Sequence, residues 1–302
     1  MKLKKLGLIM LVGMVGLSLV SCGSKADGDI EELKTEDEPA VIEEQKEVVV
    51  GTSVAVVEIL DKLGVKVSGV PESSYELPES AKDATRVGNP MNPDMEIIKS
   101  LNPDVVIATD TLGDDYESLF KSNNIPSLFV NLDSVDGLKE TVKKLAERFN
   151  KLEKDEEILA ELDEKEKSLK EVASGKGEKK VMIAFAAPGG VSMLATDESY
   201  VGNLVKMVGA KNIVSDTTGP FVSYSNETLA KMNPDMILVM THAFPEQTQK
   251  EFAETIKTDT AWKNIGAVKE GKVVYLDSSK FGMSANLKVI DSLDELSKII
   301  FE

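Results

Sequence analysis

The sequence predicts an α/β protein of two related lobes, each a mostly parallel sheet, joined by one long α-helix, with a ligand cleft between them. Three observations lead there. One unit is used twice: Leu101-Asn102-Pro103-Asp104-Val105-Val106-Ile107-Ala108 returns as Met232-Asn233-Pro234-Asp235-Met236-Ile237-Leu238-Val239, at an offset of 233 − 102 = 131. Carried backward, the offset sets Glu96 on Glu227, so each copy reads as an acid-bearing helix, a turn and a buried strand. A looser pair, Val54 to Val70 and Val201 to Val214, shares an apolar helix, a glycine near its end and a β-branched run. Between them, Asp136 to about Ser174 holds no proline, and Lys and Glu alternate around Leu138, Val142, Leu145, Phe149, Leu152, Ile158 and Leu162. As one helix, broken at most near Lys154, that stretch would run roughly 50 Å, enough to cross from lobe to lobe.

The elements follow in chain order. Lys2, Lys4 and Lys5 precede an apolar stretch from Leu6 to Val20 that is short for a bilayer span. Residues 1–21 therefore read as a secretion signal, and Leu19-Val20-Ser21-Cys22 resembles the bacterial lipobox, which implies lipidation of Cys22, the only cysteine of the chain. Residues 22–47 are rich in Asp and Glu and poor in large apolar groups, a composition that buries too little surface to order itself, so they form an acidic flexible tether.

The N-terminal lobe spans 48–136. Val48 to Val50 is a β-branched strand, Thr52 or Ser53 caps a helix carrying Val54, Val57, Leu60 and Leu63, and Val65 to Val70 is a strand. Pro71 to Val87 is a loop. Gly88-Asn89-Pro90-Met91-Asn92-Pro93 closes it, with Asn92 as cap and Pro93 at the first helical position, which leaves Met91 in a turn outside the helix. The connecting helix takes 137–175. The C-terminal lobe takes 176–302 and opens on the strand Val181 to Ala186, the turn Pro188-Gly189-Gly190, the strand Val191 to Ala195 and a helix from about Ser199 to Val208.

Composition narrows the function. A net charge of −17 argues against nucleic acid and against an electrostatic hold on anionic lipid. No nucleophile with a base, Gly-rich phosphate loop or paired-histidine motif supports an enzyme. The only histidine, His242, falls just after the apolar run Met236 to Met240, where a buried strand empties into a loop. Such a strand end is where ligands bind in open α/β sheets, and a thioether facing an imidazole across a cleft suits haem iron. From the residues alone His242 is either a ligand or a surface loop residue. Met91 is one of twelve methionines, most of them core filler, with Met283 its chief competitor.

From Val48 onward the chain resembles the substrate-binding lipoproteins of the iron, siderophore, haem and cobalamin class of ABC importers. It is most similar to the haem-receptor lipoproteins of the iron-regulated surface determinant systems of Gram-positive bacteria. The signatures are Gly88-Asn89-Pro90-Met91, Ala195-Thr196-Asp197-Glu198-Ser199-Tyr200-Val201-Gly202, Thr241-His242-Ala243-Phe244-Pro245-Glu246 and Phe281-Gly282-Met283-Ser284-Ala285-Asn286. The resemblance implies two Rossmann-like lobes and haem as transported ligand, its iron held by Met91 from the first lobe and His242 from the second. It implies delivery to an ABC permease and its ATPase from the outer face of the cytoplasmic membrane, with an upstream haem-donor protein as a further partner. Glu96 and Glu227 then become the acids that meet permease arginines. Helix-start amides at Thr52 and Ser53 would receive propionates, and Val191, Tyr224, Phe244, Phe281 and Met283 would line the ring. A ferric siderophore or corrinoid receptor is the alternative. Arg86 and Arg148, the only arginines, are few for an anionic catecholate.

Overall fold

Alternation of β-branched runs with capped amphipathic helices builds two separate sheets. The computed structural model describes residues 47–173, 177–215, 218–242 and 244–302, with the backbone alone at Leu112, Val191 and 170–173. The signal at 1–21, Cys22 and, but for Glu47, the tether at 22–47 lie outside the described residues.

In the first lobe β1 (Val49–Gly51), α1 (Val54–Lys62), β2 (Gly69–Val70) and β3 (Thr85–Arg86) follow in order. A small hairpin comes next, β4 (Gly88–Asn89) against β5 (Asn92–Pro93), then α2 (Met95–Ser100), β6 (Val105–Thr109), α3 (Asp114–Ser122) and β7 (Ser127–Val130). The sheet order is β3-β2-β1-β6-β7, and every pairing is parallel. This doubly wound order reverses between β1 and β6, which opens a crevice at their carboxyl ends.

Two helices follow, α4 (Val135–Arg148) and α5 (Leu152–Ala173), where the sequence predicts one, broken at most near Lys154. Asn150 takes the left-handed conformation (φ 54°), its N–H bonds the Glu147 carbonyl, and the Lys151 N–H bonds the Ala146 carbonyl at 2.7 Å. That is a Schellman stop made with asparagine in place of glycine. The chain then folds back, since Lys139, eleven residues before Asn150, pairs with Asp163 and Glu166 beyond it at 2.7 and 2.6 Å. The 50 Å strut is therefore an antiparallel helix pair.

The second lobe begins with β8 (Lys180–Ala187), β9 (Val191–Ala195), α6 (Tyr200–Met207), β10 (Lys211–Asn212), β11 (Phe221–Val222), α7 (Asn226–Lys231) and β12 (Met236–Thr241). It ends with α8 (Pro245–Thr258), α9 (Thr260–Lys263), α10 (Gly266–Lys269), β13 (Val273–Tyr275) and α11 (Val289–Phe301). The sheet runs β11-β9-β8-β12-β13, with β10 beside the start of β8. The pairings of β9 are antiparallel and the others parallel.

The duplication is present in the fold. From β1 to β8, α2 to α7 and β6 to β12 the first residues differ by 131 (180 − 49, 226 − 95, 236 − 105). The helices α1 and α6 differ by 200 − 54 = 146. The second lobe therefore inserts 15 residues (146 − 131) before its first helix, the β9 hairpin, and the first lobe spends the same number after its own, on the segment that holds Met91. The repeated aspartate has one task in both lobes: Asp104 accepts from the Val48 N–H at 2.7 Å and Asp235 from the Lys180 N–H at 2.8 Å, each pinning the start of a central strand.

Two local expectations change. The cap of α2 is Asp94, whose carboxylate accepts from the Glu96 and Ile97 N–H groups at 3.0 Å, while Asn92 and Pro93 belong to the hairpin. Of Val65 to Val70 only the last two residues pair as strand.

Candidate ligand-binding site

Met91 sits at the tip of the β4–β5 hairpin, 57% exposed. Gly88 starts the hairpin at φ 93°, and a Cβ there would meet the Asp94 nitrogen at 2.8 Å, so only glycine fits the turn. The Met91 N–H donates to Asn89 Oδ1 at 2.9 Å, the Asp94 N–H to the Val87 carbonyl at 2.8 Å, and the Tyr116 hydroxyl to the Pro90 carbonyl at 2.9 Å. Tyr116, at the start of α3, is buried, and burial raises its phenol above the ordinary tyrosine range against a lowering contact from the Thr52 hydroxyl.

Thr52 lies at the switch point of the first sheet. Its N–H donates to the Ile107 carbonyl at 3.0 Å, so its amide and its buried hydroxyl are both engaged. Ser53 caps α1 by accepting from the Val56 N–H at 3.3 Å, which leaves the first amides of that helix facing the same crevice.

His242 occupies the switch point of the second sheet. It follows β12 directly, and its N–H donates to the Ala186 carbonyl of β8 at 3.0 Å, so it stands where the order reverses between β8 and β12. The imidazole is half-buried, where the sequence suggests an exposed loop position, and it stacks on Phe185 with centroids 6.3 Å apart at 27°. Phe185 in turn meets Phe221 at 4.7 Å. Burial lowers the His242 pKa, which favours the neutral ring with a free lone pair, the form that binds a metal. Phe244, the N-cap of α8, is 71% exposed and left-handed at φ 42°. A bulky residue held so, two positions from the histidine, is strain of the kind that collects at ligand clamps.

The remaining candidates separate. Phe281 is enclosed in the main core, fully buried, so it fills the interior and lines no open cleft. The Tyr224 hydroxyl shares a hydrogen bond with Ser192 Oγ at 2.5 Å and accepts from Trp262 Nε1 at 3.0 Å, and its ring meets the Trp262 edge at 5.6 Å. Tyr224 thus braces β9 against α9. Met283 is half-buried against the core, and the Val191 side chain lies outside the described residues. Sequence reasoning missed Phe185 and Phe221 on β8 and β11 and Tyr116 on α3, because no local pattern says which aromatic of a strand or helix will face a distant strand end or turn. Glu96 and Glu227 are exposed at the starts of α2 and α7, paired with Lys99 at 3.3 Å and Lys231 at 2.6 Å. A helix that leads into a parallel strand starts at the carboxyl end of the sheet, so both acids stand at that end of their sheets. Among the described residues no group of three or more His, Cys, Asp or Glu side chains could hold a metal ion.

Residues 49–280 match the model of the periplasmic binding protein family. The chain is 32% identical over 255 residues to the high-affinity heme uptake system protein IsdE of Staphylococcus aureus, covering 84% of this chain and 87% of that one. It superposes on the crystal structure of S. aureus IsdE complexed with heme with a TM-score of 0.81 at 31% identity, over 84% of this chain and 99% of that one. An ABC transporter substrate-binding protein from Listeria monocytogenes EGD-e gives a TM-score of 0.79 at 34% identity, with the same coverage.

Proposed function

The chain belongs to the periplasmic binding protein family, and from that membership we propose an extracytoplasmic haem receptor of an ABC importer, which captures haem between its lobes and hands it on without catalysing a reaction. The carrying observation is a lone, half-buried imidazole, its pKa lowered by burial, at the switch point of the second lobe, in a chain 32% identical to a haem-uptake protein. His242 supplies the strong nitrogen ligand, and Met91, exposed on the first lobe's own insertion, the weaker thioether from the opposite face. Phe185, Phe221 and Phe244 offer the ring an apolar wall, with Met283 and Val191 at its margin. The propionates meet the free amides after Ser53, where Thr52 shapes the crevice but has no donor to spare. Purified protein should show a Soret band that grows on addition of haem to one equivalent. A protein that binds a ferric siderophore or a corrinoid and gives no Soret band would overturn the reading.

Around this site the receptor is anchored through a lipid on Cys22 at the outer face of the cytoplasmic membrane, receives haem from a donor protein, and docks Glu96 and Glu227 on arginines of the permease that the ATPase drives. Each glutamate already has a lysine one turn along its helix, so docking exchanges a weak exposed pair for an interfacial one. Charge reversal of both, E96K with E227K, should abolish haem-dependent uptake and leave the spectrum and affinity of the purified receptor unchanged. Loss of haem binding would put these residues in the cleft, and normal uptake would reduce them to helix-start acids.

A further inference from the structure

We propose that Tyr116 is the positioning residue for the Met91 turn, its buried hydroxyl holding the Pro90 carbonyl so that the thioether stands ready at the cleft. This rests on Met91 as an iron ligand. The hairpin has only two residues in each strand, and a ladder so short does not order itself in water. Its base is fixed by Asp94 and Val87, and the Glu72 N–H donates to the Gly88 carbonyl at 2.8 Å. Among the described residues the tip is tied to the body of the lobe at Pro90, by Tyr116, one residue before the ligand. The donor is itself fixed. Its ring meets Phe120 edge-on at 5.2 Å and Phe129 at 6.2 Å, and those two meet each other at 5.7 Å. Its hydroxyl also contacts Thr52, so the start of α3, the end of β1 and the tip of the hairpin share one point. A thioether is a weak, neutral donor, so its ligation depends on placement more than that of an imidazole does, and a supporting shell that is loose by an ångström leaves a ligand present but ineffective.

The test is Tyr116→Phe, which keeps the ring and removes the hydroxyl, beside Met91→Ala, the two combined, and Tyr200→Phe, the same change at a buried tyrosine outside the site. Each full-length protein is loaded with haem. The low-spin, methionine-ligated signature is read by absorption and magnetic circular dichroism, haem release by transfer to excess apomyoglobin, and folding by thermal melting. Tyr116→Phe should lower Tm by a few degrees at most, lose part of the methionine signature and release haem about fivefold faster, the scale of one net hydrogen bond. The double variant should release haem no faster than Met91→Ala alone, and Tyr200→Phe should keep the parent's spectrum. If Met91→Ala changes the spectrum while Tyr116→Phe changes neither spectrum nor release, the positioning role is overturned and Met91 ligation stands. An unchanged spectrum in Met91→Ala removes both. Equal effects in Tyr116→Phe and Tyr200→Phe would also overturn the proposal, since a general loss of stability would then explain them.

Discussion

At the scale of single residues, the two proposed iron ligands differ in how the fold prepares them. His242 is held by a backbone bond to Ala186 and a stacked Phe185, and burial lowers its pKa. Met91 stands out on a turn and owes its place to neighbours. His242→Ala should therefore raise haem loss by about tenfold or more, since even partners that only support a ligand act on that scale, and should abolish the six-coordinate spectrum. Met91→Ala should alter the spectrum with a smaller rise in release, because the cleft still buries the ring. Absorption spectra and transfer kinetics on both variants check the ranking, and a larger loss from Met91→Ala would reverse it. The lone histidine was legible in the sequence because a buried apolar run ends beside it. Phe281 was misplaced, since a fully buried aromatic and a cleft-lining one carry the same residue type in the same kind of loop.

At the scale of elements, the repeated Asn-Pro-Asp turn does in both lobes what its recurrence suggests. A carboxylate that accepts a backbone N–H at a strand start is a charge-assisted bond, so Asp104→Ala and Asp235→Ala should each cost about 1.5 kcal/mol, the low end for bonds to a charged group at an exposed site. Each should lower Tm by a few degrees, and chemical denaturation of the two variants checks it. Similar losses are expected, because the geometry repeats at 2.7 and 2.8 Å. The joining helix was less legible. Its apolar pattern runs through Phe149 to Leu152 without a proline or a glycine, and one left-handed asparagine is enough to turn the chain back.

At the scale of the whole molecule, a core shared by both sheets takes the place of the continuous strut as the source of resistance to hinge motion. One core cluster runs from Val49 through α4 and α5 to Ile300 and includes residues of both sheets. The Ala285 N–H donates to the Leu132 carbonyl at 2.7 Å, and the Val135 N–H to Asn203 Oδ1 at 3.0 Å. A shared core resists hinge rotation, so small-angle scattering should find the radius of gyration changed by less than about an ångström on haem binding, well short of hinged closure. The Glu58–Lys288 pair at 3.9 Å also crosses between the lobes, and burial lifts the Glu58 carboxyl above the ordinary glutamate range despite the lysine. Its folded pKa then exceeds the unfolded one, so its contribution is fully present below the unfolded pKa and is lost as the pH rises through the folded pKa. Glu58→Gln should keep or raise Tm at neutral pH and flatten its fall across that acid window. A lower Tm at neutral pH would mean that the ion pair outweighs the desolvation.

Readable from the amino-acid sequence were the α/β class, the duplication with its 131-residue offset, and the positions of His242 directly after a buried strand and of Met91 in a turn. Those follow from local chemistry: period, turn residues, and where an apolar run stops. Long-range packing set the compensating 15-residue insertions, the fold-back at Asn150, the burial of Phe281, and the convergence of Tyr116, Thr52 and Pro90. Each of these turns on which of several locally acceptable conformations packs best against distant residues, and that choice has no local signature.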